Sequence, residues 1–186
     1  MRIVAGSAKG RRLCAIKGFS IRPTSDKVRE AVFNILGREF HYKNVLDLFA
    51  GTGAMGIEAL SRGAEHAVFV DKDSSSVRII KKNLCICNFL EKAKVFETDV
   101  IHALNLLSKN KGRFDLIFID PPYQTGLTEI TLEMIDKNEL LTDEGMIVSE
   151  ISKRTKVDAK LERLCKFDTR QYGDTVVEFY RNKELT

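Results

Sequence analysis

Four stretches of this 186-residue chain set an acid at the end of an apolar run, two of them beside glycines or prolines, in spacings that could do chemistry. Asp120-Pro121-Pro122-Tyr123 follows the apolar run Phe114–Ile119, and Asp47-Leu48-Phe49-Ala50-Gly51-Thr52-Gly53-Ala54-Met55-Gly56 grows out of another, Asn44–Phe49. Asp71 follows Ala67–Val70, and Asp99 follows Lys94–Glu97. Gly51, Gly53 and Gly56 satisfy G-x-G-x-x-G at a strand-to-helix turn, with Asp71 20 residues past Gly51. By the motif alone this is a dinucleotide fingerprint: the glycines let a ligand approach the backbone, and the acid accepts hydrogen bonds from ribose hydroxyls.

Two further acids favour S-adenosylmethionine over NAD. A carboxylate at Asp47, just before the loop, repels a pyrophosphate but suits a ligand with a cationic amino-acid portion. Asp99, after the third strand, can accept a hydrogen bond from an adenine amino group. The plain alternatives are a structural glycine turn and helix caps at Asp71 and Asp99. Three acids at successive strand ends favour the functional reading. Asp120-Pro121-Pro122-Tyr123 resembles the Asp/Asn-Pro-Pro-Tyr/Phe motif of enzymes that methylate exocyclic amines of planar bases, against the alternative of a Pro-Pro turn capped by Asp120. An arylamine lone pair is delocalised into its ring and is a poor nucleophile. Asp120 and the Pro121 carbonyl can hold both N–H groups, turn the lone pair toward a sulfonium methyl and stabilise the charge that develops on nitrogen. Pro122 removes a competing backbone donor and stiffens the turn, and Tyr123 can stack on a base drawn out of its helix or loop. Neither a nucleophilic cysteine nor a metal is required.

These residues need a scaffold that brings strand ends together, and the chain supplies one. Apolar strand runs at 44–49, 67–70, 94–97, 114–119 and 146–151 alternate with helical periodicities up to a helix over roughly 127–138. That alternation implies parallel pairing with right-handed crossovers. Leu164–Tyr172 and Thr175–Arg181 flank Gly173-Asp174 with no helix between, a hairpin signal. The expected fold is α/β: a mostly parallel, Rossmann-like sheet closed by a C-terminal antiparallel hairpin, the arrangement of class I methyltransferases. A small N-terminal β-hairpin is expected from Ile3–Ala5 and Leu13–Ile16 around the Gly6–Gly10 turn. Two parts are expected: residues 1–43 as a basic, RNA-facing hairpin and helix, and 44–186 as the methyltransferase domain.

Charge follows the same division. Residues 1–43 carry ten Lys/Arg against three acids, whereas 44–186 carry 20 against 23. A basic arm on a mildly acidic body fits a polyanionic partner, or else a solvated surface. Lys9, Arg11 and Arg12 are the candidates for gripping phosphates without reading sequence. No apolar run approaches the roughly 20 residues needed to span a bilayer, the N-terminus lacks a signal-peptide stretch, and the four cysteines form no Cys-x-x-Cys pair. A reduced, cytoplasmic protein is expected.

The chain resembles the RsmD family of small-subunit ribosomal RNA guanine-N2 methyltransferases over nearly its whole length. The resemblance is carried by Arg2–Gly6, Gly10–Leu13, Arg22–Glu30, Phe33–Leu36, Asp47–Gly56, Glu58–Ala64 and Phe118–Tyr123. It implies methyl transfer from S-adenosylmethionine to guanine N2 in 16S rRNA, in the small ribosomal subunit or its assembly intermediate, with no membrane and no metal. It implies that Asp120, Pro121, Pro122 and Tyr123 form the target-base site. Asp47, Gly51, Gly53, Asp71 and Asp99 would hold the cofactor, with Arg22 and Thr24 closing over its methionine end. The short Asp71 side chain could bring Asp73 into play. Two other enzymes remain open, an adenine-N6 DNA or RNA methyltransferase and an NAD dehydrogenase, as does a catalytically silent RNA-binding assembly factor. His41, His66 and His102 lack the context of a hydride-transfer acid or base.

Overall fold

The computed structural model describes residues 1–15, 26–37, 40–122 and 126–183. The apolar runs become β1 (Asn44–Leu48), β2 (His66–Asp71), β3 (Ala93–Glu97), β4 (Phe114–Ile119) and β5 (Leu141–Ser152), followed by β6 (Leu164–Tyr172) and β7 (Thr175–Asn182). Between them lie α1 (Asp26–Ile35), α2 (Ala54–Arg62), α3 (Ser74–Cys87), α4 (Val100–Lys109) and α5 (Leu127–Lys137). The seven strands form one sheet in the order β3-β2-β1-β4-β5-β7-β6. The first five in that order run parallel, and β7 pairs antiparallel with both β5 and β6.

Side-chain alternation divides the core. From β1, Val45 packs with α2 and α3 residues such as Leu60 and Ile80, while Leu46 and Leu48 pack with Leu104 of α4 and Leu132 of α5. Helices thus cover both faces, as short parallel apolar strands require. Helix starts follow local chemistry: Asp73 accepts from Ser75 N and Ser76 N at the head of α3, and Asp99 accepts from His102 N at the head of α4. Each side chain satisfies otherwise orphaned N–H groups of a first turn.

The N-terminal hairpin is present in its shortest form, with a single antiparallel bridge between Arg2 and Arg12. Ile3 N, Gly10 N and Leu13 N donate across the hairpin to Arg11 O, Ile3 O and Met1 O, while other donors are engaged outside it. Val4 N and Ala5 N donate to the two carboxylate oxygens of Glu58 on α2, and Ala8 N donates to Ser61 Oγ. Ile3, Ala8 and Leu13 are buried in the same cluster as α2 and α3. β5 begins five residues before the expected Met146. Its added stretch pairs with β4 through Phe114–Leu141 alone before the register shifts. Among the described residues no helix is long and apolar enough to cross a membrane.

Candidate active site

Chain order reverses between β1 and β4, which are neighbours in the sheet. At such a switch point the loops leaving adjacent strands diverge, and an open α/β sheet binds ligands in the crevice outside the strand carboxyl ends. The register shows what meets there. Leu48 lies opposite Val70 on one side and Ile119 on the other. The Phe49–Gly53 loop and the Asp120-Pro121-Pro122 turn therefore leave neighbouring strands, about 4.8 Å apart, at the same level of the sheet. Asp71 ends β2 one strand further on, and Asp99 lies just beyond the end of β3.

The loop is built tightly. Phe49 takes a left-handed conformation with φ 59°, unusual for a bulky residue, and Ala50 N donates to Val70 O at 3.0 Å. Gly51 N donates to Asp71 Oδ2 at 2.8 Å, and Asp73 N donates to Asp71 Oδ1 at 2.9 Å. Asp71 thus braces the loop through its side chain while its remaining lone pairs can accept from a ligand. Gly56 sits so close to β2 that a Cβ there would fall 2.4 Å from the Phe69 ring. Only glycine lets α2 begin this near the sheet.

Asp47 lies within β1, one residue before its end, and is buried; its Oδ2 accepts from Gly56 N at 2.9 Å. Burial pushes its carboxyl up to about 7, offset in part by the Gly56 hydrogen bond and reinforced by the Asp71 charge. Asp73, by contrast, is held below the usual carboxylate range, chiefly by its hydrogen bonds from Ser76 N and Ser75. Asp99 is exposed, and its Oδ1 is the one engaged at the α4 cap. Asp120 is half-buried, Pro121 buried and Pro122 exposed.

This geometry can be set beside known proteins. A model of the family described as conserved hypothetical protein 95 matches residues 1–181. A Bacillus subtilis protein, provisionally named an rRNA methyltransferase, is 40% identical over 183 residues, 98% of this chain and 100% of its own. Ribosomal RNA small subunit methyltransferase D of Haemophilus influenzae is 36% identical over 155 residues, covering 82% of this chain and 79% of that protein. The chain belongs to the RsmD family. An Escherichia coli structure, provisionally titled a methyltransferase, has the same fold with a TM-score of 0.82 at 32% identity, covering 98% of both chains.

Within that RsmD-family frame, Asp47, Gly51, Gly53, Asp71, Asp99, Asp120, Pro121 and Pro122 gather along one sheet edge. Arg22, Thr24 and Tyr123 lie outside the described residues. Lys9, Arg11 and Arg12 are all exposed on the arm, and Arg11 directs one guanidinium N–H onto the Ile86 carbonyl in the last turn of α3. Two residues that join the arm to the site escaped the sequence reading. Glu58, fully buried, holds Val4 and Ala5 and pairs with Arg29 and Arg62. Asn83, also buried, donates to Thr52 O in the glycine loop and to Cys14 O in the arm, and accepts from Cys14 N. The available signal was an asparagine set among Val77, Ile80, Leu84 and Cys87 on the apolar face of α3.

Proposed function

We propose that the chain transfers a methyl group from S-adenosylmethionine to the exocyclic N2 amine of a guanine in 16S ribosomal RNA, within the small subunit or an assembly intermediate. The observation that carries this reading is the β1–β4 register, which sets the Asp120-Pro121-Pro122 turn one strand from the glycine loop. Family membership and the relatives' names support the same reaction class.

The residues present fit the cofactor. Among the described residues a Cβ at Gly51 would meet nothing nearer than the Phe49 carbonyl oxygen, 3.9 Å away, so the loop backbone there has room for a ligand. Asp47, buried and without a cationic partner among the described residues, favours a ligand bearing positive charge. In this reading Asp71 accepts from ribose hydroxyls and Asp99 from an adenine amino group, while Arg22 and Thr24, outside the described residues, are assigned to the methionine end. S-adenosylmethionine supplies an electrophilic methyl group carried on a sulfonium.

The chain's own residues do the rest. Asp120 and the Pro121 carbonyl accept the two N–H bonds of the guanine amine, orient its lone pair and stabilise the charge that develops on nitrogen. Pro121 and Pro122 offer no N–H that would compete for these acceptors. Tyr123 stacks on the displaced base. Residues 1–43 form the RNA-facing extension, with Lys9, Arg11 and Arg12 on phosphates, and residues 44–186 form the catalytic domain.

The test is methylation of small subunits and 16S rRNA lacking the modification, read by nucleoside mass spectrometry. N2-methylguanosine is expected, and Asp120→Ala is expected to lower the rate by on the order of 10²–10³ with cofactor affinity nearly unchanged. N6-methyladenine instead, or full turnover by the variant, would overturn the assignment.

A further inference from the structure

Beyond the arm, α3 presents a second cationic surface. Its fourteen residues include Arg78, Lys81 and Lys82 and no acid. The spacing puts all three on one side of the helix, opposite the buried Val77, Ile80, Leu84 and Cys87, and all three are exposed. Among the described residues none of them forms a close ion pair; Arg78 reaches Ser75 Oγ, at 3.5 Å, and lies within the field of the Asp73 carboxylate that caps the helix. Some exposed cations elsewhere are paired, as in Lys43–Glu65, Arg113–Asp143 and Arg163–Glu139. Like charges three and four residues apart on a helix cost a few tenths of a kcal/mol, so folding gives no reason for this row.

The row is continuous with the arm. Arg11 caps the Ile86 carbonyl, and Cys14 is bonded through both backbone groups to Asn83, so the arm lies along the C-terminal half of α3. From Arg78 to Ile86 the helix rises about 12 Å, long enough to face three or four phosphates of one nucleic-acid strand at about 3.4 Å of axis each. This side of α3 has no aromatic residue of the kind that anchors protein interfaces; its other exposed members are Ser74 and Cys85.

Resting on the rRNA reading above, we propose that Arg78, Lys81 and Lys82 extend the arm into one phosphate-binding surface for the backbone of the 16S rRNA segment that carries the target guanine. The surface grips backbone without reading bases.

Two measurements test it. The first is binding of an unmodified 16S stem-loop to R78A/K81A/K82A between 50 and 200 mM salt. At roughly 0.7–0.9 per contact, the log–log salt slope should become shallower by about 2–3, while S-adenosylmethionine affinity and thermal unfolding stay as in the wild type. An unchanged slope overturns the proposal. So does an unchanged slope accompanied by lost binding of polyglutamate, which would give the face to an acidic protein.

The second measurement leaves the chain unaltered. Cys85 is exposed on this face, whereas Cys165 lies on β6 across the sheet and Cys87 is buried, with burial pushing its thiol up. Stem-loop RNA should slow alkylation of Cys85 several-fold relative to Cys165. Equal rates with and without RNA overturn the proposal. Parallel methylation by the wild-type protein separates the two readings. Product from the wild type with an unchanged slope in the variant sinks only the α3 surface, and absence of any product sinks the reaction.

Discussion

Glu58 on α2 and Asp136 on α5 are both buried carboxylates, and each pins a non-helical segment to its helix, but with different partners. Glu58 accepts from two backbone N–H groups of the arm and also faces Arg29 and Arg62, with Arg29 as fully buried as itself. Asp136 accepts only from neutral backbone donors, Glu162 N, Arg163 N and Leu164 N, where the chain enters β6. The arm is therefore tied down by a buried carboxylate set between two guanidiniums, and the β6 entry by a polar clamp of the kind that caps helices. Asp47 is a third case. It is buried to a similar degree, yet among the described residues it has one backbone donor and no cation. The carboxylate left least satisfied by the protein is the one beside the glycine loop, where a ligand can complete its shell.

The contrast breaks most sharply with Glu58→Ala. Removing that side chain leaves Arg29 charged and buried, a loss of about 3–5 kcal/mol. Asp136→Ala leaves only backbone donors to be rehydrated and should cost about 1.5–3 kcal/mol. Urea unfolding measures both. RNA affinity at equal folded fraction separates them further, since only Glu58→Ala releases the arm. Equal losses in stability would mean that the Arg29 pair is not the reason Glu58 is there.

Asp47→Asn sharpens the comparison through pH. The folded-state carboxyl titrates near 7 instead of its ordinary 3.8, so between those values the folded protein binds a proton that the unfolded chain has lost. The sign follows: this group's contribution to stability is largest below about pH 4 and declines as pH rises to about 7. The slope is up to about 1.4 kcal/mol per pH unit, and the curve is flat above that range. Wild type minus Asp47→Asn should show this decline in thermal or urea unfolding across pH 4–8. A cationic ligand favours the ionised form, so S-adenosylmethionine affinity should rise through about pH 7 in the wild type and lose that component in the variant. Parallel pH profiles for the two proteins would contradict it.

How much of this was readable beforehand follows from where each signal lives. Phe114–Ile119 is legible to the residue because six consecutive residues, mostly apolar, stop at an acid and two prolines. The clustering of Asp47, Asp71, Asp99 and Asp120 follows from four such runs, since parallel strands place their ends on one edge. Long-range polar contacts leave no such period. A glutamate on the short α2 reads as a solvated residue, so its capture of Val4 N and Ala5 N was hidden, and with it the reason why the arm forms one bridge instead of two full strands. The start of β5 was obscured because Thr142, Asp143 and Glu144 are polar and at least partly exposed, so they read as a loop.

The finest distinction concerns Asp99, whose two oxygens have different surroundings. Oδ1 caps α4 by accepting from His102 N at 2.9 Å, and Oδ2 has no partner among the described residues. Asparagine caps a helix about as well as aspartate, but once its oxygen is used for the cap it turns an NH₂ outward where the carboxylate offered an acceptor. Asp99→Asn should therefore leave stability within about 0.5 kcal/mol while weakening S-adenosylmethionine about tenfold, the equivalent of one lost hydrogen bond. Asp99→Ala should lose that affinity and also about 1 kcal/mol of stability. Calorimetric titration alongside unfolding measures both. If Asp99→Asn binds the cofactor as the wild type does, the cap is the whole of this residue's work, and the adenine contact must come from elsewhere along the β3 end.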